Sequence, residues 1–390
     1  MIEPGDIGYR SLGHGRHSRL PSPGVAVASP PGFDGVRLTV EQAAAAIEAA
    51  ADPASDARSV LDAGDFDILA ISGGAAGGAF GAGVLIGLTR AERRPRFELV
   101  TGVSTGALIA PFAFLGSKWD RRLREAYTGG HAQAALGLTG LSLTLDGGLF
   151  QPEALERLVY PFIDDELVAA VAAEHRLGRR LLVATTDLDR QEPCIWDMGA
   201  IALRGGPQAT MMFREVLIAS ASLPGLFPPR RFRVEAEGQQ YEELHVDGGV
   251  SAPLFVMPQG LLNWRRLGRR LQRGRIYVIV NTVLDPAAQA TPISLPHILM
   301  RSFDTMLRVS YRQALSVVVS FSLANDLPLS VASIAETPEG AEPGGMLTFE
   351  TAAMRRTFDG AVEAAQAKDF WRTPVAHTKP WADFLDLFRR

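Results

Sequence analysis

The sequence holds one cysteine, Cys194, in 390 residues. A single thiol closes no intramolecular disulfide and builds no thiolate metal site, which fits a reducing compartment. Basic charge is not in excess either. With 39 Lys and Arg against 43 Asp and Glu the net charge is −4, which excludes a globally basic nucleic-acid binder, and no nucleic-acid partner is expected. No apolar run approaches the roughly 18 residues of a membrane-spanning helix. Met1 to Arg19 lacks an apolar core of signal-peptide length, and Gly24 to Ala28 is too short and runs into Pro30-Pro31. The expectation is a soluble protein, cytoplasmic or peripherally membrane-associated. There is no internal repeat. What the chain does have is 47% hydrophobic and 21% charged residues, the balance of a globular protein with a sizeable core.

Residues 1–37, rich in Gly, Pro, Ser and Arg, read as an extended or disordered lead-in. Residues 38–64 read as peripheral helices. Thr39 and Gln42 predict a capping box for Val40 to Ala51, which Asp52-Pro53 stops. A shorter helical piece, Ser55 to Ala63, follows. From residue 65 the pattern changes to short apolar runs alternating with helical periodicity, the order of an α/β domain with a mainly parallel sheet. Strands are expected at Phe66 to Ile71, Phe97 to Thr101, Arg180 to Thr186, Pro193 to Trp196, Tyr241 to Val246 and Ile276 to Val280. Helices are expected at Trp119 to Tyr127, Pro152 to His175 and Phe213 to Ser220. This domain is expected to run over 65–285. Residues 286–390 add a helix at Pro296 to Leu323, a strand at Leu329 to Ile334 and a helix at Ala352 to Lys368, packed on the same domain.

Three stretches point to chemistry. Gly102-Val103-Ser104-Thr105-Gly106 lies between an apolar strand and a helical run, the pattern of a serine held on a sharp strand-to-helix turn. The flanking glycines remove side chains that would clash, and the helix after Thr105 aims its N-terminal amides at the serine oxygen. Ser72 to Ala79, with Gly73, Gly74, Ala75, Gly77 and Gly78, is a second strand-turn-helix rich in small residues, able to converge backbone amides on an anion. It matches neither a dinucleotide turn nor a phosphate loop, since it lacks the spacing of the first and the lysine of the second. Its readings are therefore an oxyanion-binding turn serving Ser104 or plain close packing. Asp247-Gly248-Gly249 ends a strand with a carboxylate entering a turn. Ala132 to Phe150, with many leucines, is expected to form a lid or a pocket wall, or to fill core. Trp264 to Arg275 is dense in arginine and reads first as a solvated helix face, second as a basic surface for an anionic membrane.

Taken in order, these motifs resemble the patatin-like phospholipase family of lipid acyl hydrolases, over roughly residues 66 to 285. Ser220-Ala221-Ser222-Leu223-Pro224 adds to the likeness. The resemblance implies a three-layer α/β/α fold, a Ser–Asp dyad without histidine, lipid or phospholipid acyl esters as substrates, and neither metal nor cofactor. It assigns Ser104 as nucleophile, Asp247 as general base, and the backbone around Gly73, Gly74 and Ala75 as oxyanion hole. The sequence departs from the family's Gly-Gly-Gly-x-Arg/Lys-Gly turn at two places, with Ala75 for the third glycine and Gly77 for the basic residue. A positive φ at position 75 would strain alanine by about 1 kcal/mol. Two alternatives stay open here: a weak or inactive lipid-binding protein on the same fold, and a Ser-His-Asp esterase using His297 or His377.

Overall fold

In this computed structural model the described residues are 21–51, 66–136, 150–254, 274–284, 288, 290–325, 327–334 and 348–372. The strands join in one sheet: β1 (Arg37–Leu38), β2 (Ile68–Ile71), β3 (Leu99–Gly102), β4 (Arg180–Asp187), β5 (Glu192–Asp197), β6 (Arg230–Ala236), β7 (Gln239–Asp247), β8 (Ile276–Val280) and β9 (Leu329–Ser333). Five of them, in the order β4-β3-β2-β8-β9, run parallel. Their residues are apolar without alternation because helices cover both sides of a parallel sheet. Ile68 to Ile71 and Ile276 to Val280 are buried throughout. β5 and β7 both pair with β4 antiparallel, and β6 forms a hairpin with β7.

The helices are α1 (Val40–Ala51), α2 (Gly78–Arg90), α3 (Thr105–Leu115), α4 (Asp120–Thr128), α5 (His131–Leu136), α6 (Glu153–Val159), α7 (Asp165–Arg176), α8 (Met198–Leu203), α9 (Gly206–Ser220), α10 (Leu295–Asn325) and α11 (Thr351–Ala364). α11 packs along α2, while α7, α8 and α9 gather against β4. The architecture is the three-layer α/β/α arrangement with a mainly parallel sheet. The Thr39 capping box forms as expected: the Gln42 N–H donates to Thr39 Oγ1 at 3.2 Å, and the Thr39 N–H to Gln42 Oε1 at 2.9 Å.

Three expectations change. The stretch Pro152 to His175 is two helices, because Pro161 interrupts the first and Asp164 caps the second by accepting the Leu167 N–H at 3.0 Å. β6 was not foreseen. The described part of the lead-in is irregular yet docked, with Ala28, Phe33 and Val36 buried and Ser29 bridged to Glu235. The expected helix Ser55 to Ala63, the arginine-dense run Trp264 to Arg275 up to residue 273, and most of the leucine-rich segment lie outside the described residues.

Register explains why distant motifs meet. Ile71 ends β2 beside Gly102 of β3 and Ile279 of β8. Gly102 in turn lies beside Val183 of β4, and Thr185, two residues on, pairs with Asp247. The glycine-rich turn, Ser104, Asn281 and Asp247 therefore leave the sheet at one carboxyl edge, where ligands bind in parallel sheets.

Candidate active site

Ser104 sits between β3 and α3 with φ 56° and ψ −128°. A non-glycine residue at positive φ is strained, and the surroundings must over-determine it. They do so here on two sides. The Ser104 N–H donates to Ser220 Oγ at 3.0 Å, and the Ser220 hydroxyl donates to the Ala184 carbonyl at 2.7 Å. The turn is also too tight for side chains at its flanks: a Cβ on Gly106 would run into the Ile71 and Ser72 carbonyls, and one on Gly102 into the Gly106 carbonyl. Thr105 opens α3, its hydroxyl 3.0 Å from that of Tyr127.

The glycine-rich turn begins where β2 ends. Gly74 has φ 151°, and a Cβ there would overlap the Asn281 carbonyl. Asn281 holds the turn at three points. Its N–H donates to Ser72 Oγ (3.0 Å), its side-chain NH₂ donates to the Ser72 carbonyl (2.8 Å), and its Oδ1 accepts the Gly81 N–H (3.0 Å). Ala75 has φ 47°, so the strain anticipated for alanine is present, at about 1 kcal/mol. The Gly77 N–H is committed to the Gly74 carbonyl at 2.9 Å, and Gly78 starts α2. Among the described residues the amides of Gly73, Gly74 and Ala75 find no backbone acceptor.

Asp247, the last residue of β7, is 1% exposed. Its N–H donates to the Ser222 carbonyl at 2.9 Å, Thr186 Oγ1 donates to its main-chain carbonyl at 3.0 Å, and its Oδ1 accepts the Gly249 N–H at 2.7 Å. Gly248 and Gly249 form the short 3₁₀ turn after it. Oδ2 is buried with no hydrogen-bond partner among the described residues. Burial pushes the carboxyl up to about 7, opposed by the Ser104 hydroxyl and the Gly249 N–H. Ser104 is thus near enough to act on the carboxylate, without a hydrogen bond of full geometry between them.

Ser104, Thr105, Gly74, Ala75 and Asp247 line one end of a cavity whose remaining wall is almost wholly apolar. Leu108 and Phe112 of α3, Leu136 of α5, Leu155 and Leu158 of α6, Phe162, Leu226, Phe227 and Leu307 line it. From the leucine-rich segment, Ala132 and Leu136 contribute to this wall, and Phe150 stacks on Phe227 at 5.3 Å. A cleft with polar groups gathered at one end suits a ligand that is a hydrocarbon chain with a polar terminus.

No described histidine bonds to Ser104 or Asp247. His245 is buried two residues before Asp247, with Nδ1 2.8 Å from Thr185 Oγ1 and Nε2 3.0 Å from Glu243 Oε2. The side chains of His297 and His377 lie outside the described residues. Asp187, Glu243 and His245 place ligand-type atoms close together, but Arg37 Nη2 ion-pairs with Glu243 Oε2 at 2.9 Å, where a cation would compete with it. Burial works against ionisation of Glu243, yet His245, Arg37 and Ser22 hold its carboxyl down at about 2. The Arg37 nitrogens and Asp187 Oδ2 of this cluster find no hydrogen-bond partner of full geometry among the described residues, while Glu243 and His245 lie on the strand that carries Asp247.

Sequence reasoning did not single out three residues that the structure brings to the site. Ser220 reads as the end of a helix and as part of a likeness, Asn281 falls just past the expected strand Ile276 to Val280, and Tyr311, which lines the cavity from α10, reads only as part of a helix. Local sequence gives no sign of their contacts, which reach 36 positions from Ser220 to Ala184 and more than a hundred in the others.

A family model described as patatin-like phospholipase matches residues 69–258. No curated protein matches the chain. Among solved structures, VipD from Legionella pneumophila aligns at 13% identity with a TM-score of 0.32, covering 80% of this chain and 68% of that one.

Proposed function

From the match of residues 69–258 to the patatin-like phospholipase family we propose that the chain is a member of it and hydrolyses carboxylic esters of lipids by way of an acyl-serine. The observation that carries this reading is the strained Ser104 beside a buried carboxylate oxygen that has no hydrogen-bond partner among the described residues, both at the polar end of an apolar cavity. In the acylation step Ser104 Oγ bonds to the ester carbonyl carbon while its proton passes to Asp247. The carbonyl π pair moves onto oxygen, where the amides of the Gly73–Ala75 turn, which have no backbone acceptor among the described residues, and the first amides of α3 receive it. Collapse expels the alcohol, which takes the proton from Asp247. Water then attacks the acyl-serine with the same carboxylate as base. A carboxylate near pKa 7 is a stronger base than an ordinary aspartate, which suits it to this work without an imidazole.

The apolar wall fits an acyl chain, and the protein's outer surface fits contact with a lipid aggregate. Leu299, Met306 and Val309 of α10 are exposed beside the cavity-lining Leu307, an arrangement suited to the edge of a bilayer or micelle. No described helix is long and apolar enough to cross a membrane. The test is hydrolysis of p-nitrophenyl esters from butyrate to palmitate by wild type and Ser104→Ala, with fluorophosphonate labelling of both. The expected result is turnover and labelling that vanish together in folded Ser104→Ala. A wild type that binds lipid but neither turns over nor labels at Ser104 would make the chain a lipid-binding protein instead.

A further inference from the structure

Tyr311 lies on α10, beyond the residues matched by the family model. It is 3% exposed and lines the cavity at its polar end. A methyl group built on Gly73 would lie 2.6 Å from the Tyr311 hydroxyl oxygen, 3.0 Å from Ser104 Cβ and 3.6 Å from Ser104 Oγ. The phenol oxygen therefore stands over the glycine-rich turn on the side that faces the serine. Buried tyrosine hydroxyls normally find a partner. This one makes no hydrogen bond to any described residue, whereas the other tyrosine of the cavity, Tyr127, is bonded to Thr105 Oγ1 at 3.0 Å and to the Thr105 carbonyl at 3.2 Å. The position of Tyr311 is fixed from its own helix: the neighbouring Arg308 donates to Asp304 at 2.9 Å and to the Val283 carbonyl. The turn Gly73 to Gly78 itself carries no side-chain donor.

We propose that the Tyr311 hydroxyl is a further catalytic group, donating a hydrogen bond to the carbonyl oxygen of the bound ester as it becomes an oxyanion. This rests on the ester-hydrolase reading above. When Ser104 Oγ adds to the carbonyl carbon, the π pair settles on an oxygen that the backbone amides reach from the turn. Tyr311 reaches the same oxygen from α10. The phenol keeps its proton throughout; the proton in flight is the one that Ser104 gives to Asp247 and Asp247 returns to the leaving alkoxide. Burial and the neighbouring Asp247 both push the Tyr311 hydroxyl up from its ordinary value, so it keeps its proton and remains a donor over the whole working range.

The experiment compares wild type with Tyr311→Phe, which keeps the ring and its packing, on p-nitrophenyl and alkyl esters of one acyl chain. Expected is a roughly 10²-fold fall in kcat with KM unchanged, equal for both leaving groups. Affinity for a trifluoromethyl ketone of that chain, which adds to Ser104 as a tetrahedral anion, should fall by a similar factor, while affinity for the unreactive alkyl ether stays the same. A fall confined to alkyl esters would overturn the proposal in favour of proton donation to the leaving group. An unchanged kcat in Tyr311→Phe with an active wild type would overturn it and leave the hydrolase reading intact. A wild type with no Ser104-dependent turnover would overturn both.

Discussion

Replacing Asp247 by asparagine should abolish turnover and stabilise the fold. In the native protein the carboxyl moves from its ordinary 3.8 to about 7, with burial as the leading cause. A rise of about three pH units is worth about 4 kcal/mol of unfavourable interaction in the ionised form. The sign follows from proton counting. Between pH 4 and 7 the folded state keeps a proton that the unfolded state has lost, so this group's contribution to stability is full below about pH 4 and is lost as pH rises through about 7. Asparagine can keep the bond from the Gly249 N–H on its Oδ1 and places an amide where the buried Oδ2, without a partner among the described residues, now sits. At pH 8 the variant should gain up to about 4 kcal/mol, which for 390 residues is a rise in Tm of about 5 °C. At pH 4.5 the gain should nearly vanish. The assay is thermal unfolding of wild type and Asp247→Asn at both pH values, with kcat/KM of the wild type from pH 5 to 9. Activity should climb with pH and level off above about 7, since the base must be ionised. An Asp247→Asn protein less stable than wild type at pH 8, or wild-type activity flat down to pH 5, would refute the reasoning.

Further outcomes follow from single contacts. Ser220→Ala removes the acceptor of the Ser104 N–H and the donor to the Ala184 carbonyl; it should cost about 1–3 kcal/mol in chemical denaturation and lower kcat more than it changes KM. Gly74→Ala forces a side chain into the Asn281 carbonyl at a φ of 151°; soluble yield and Tm should drop, and any folded fraction should lack esterase activity. Leu158→Trp fills the cavity wall on α6; in the ester series it should shift the preferred acyl chain toward butyrate with little loss on the shortest ester.

The elbow was legible because all of its parts are contiguous: strand, glycine, serine, glycine and helix follow one another, and each glycine answers a steric demand made within the turn. Asp247 was legible for a similar reason, a carboxylate at the end of an apolar strand followed by two glycines. β6 was hidden by composition. Arg230, Arg231, Arg233 and Glu235 interrupt Phe232, Val234 and Ala236, although the buried positions alternate along the strand with Arg230 among them, and Glu237-Gly238 supplies the hairpin turn. Its buried Arg230 reads as exposed until Glu156 is seen 2.9 Å away. The break at Pro161 and Asp164 stood in the sequence and was overridden by helical periodicity on either side. Ser220, Asn281 and Tyr311 carried no signal, since a serine, an asparagine and a tyrosine acquire these roles only through partners brought near by sheet register. Ser72 and Asn281, whose bonds weld the turn to β8, meet only once β2 and β8 are paired.

That weld separates two boundaries that are easily taken for one. The family match ends at residue 258, yet β2, whose end launches the glycine-rich turn, has β8 as one of its two neighbours. A fragment cut to 69–258 would leave β2 as a bare, fully apolar edge, the kind of strand that recruits other chains. It would also strip α11 from α2, where Gly83 and Gly87 lie against the backbone of α11 at Phe358 and Val362. The unit of homology is therefore smaller than the unit of folding, and an expression boundary for this protein belongs beyond α11 rather than at the edge of the recognisable domain.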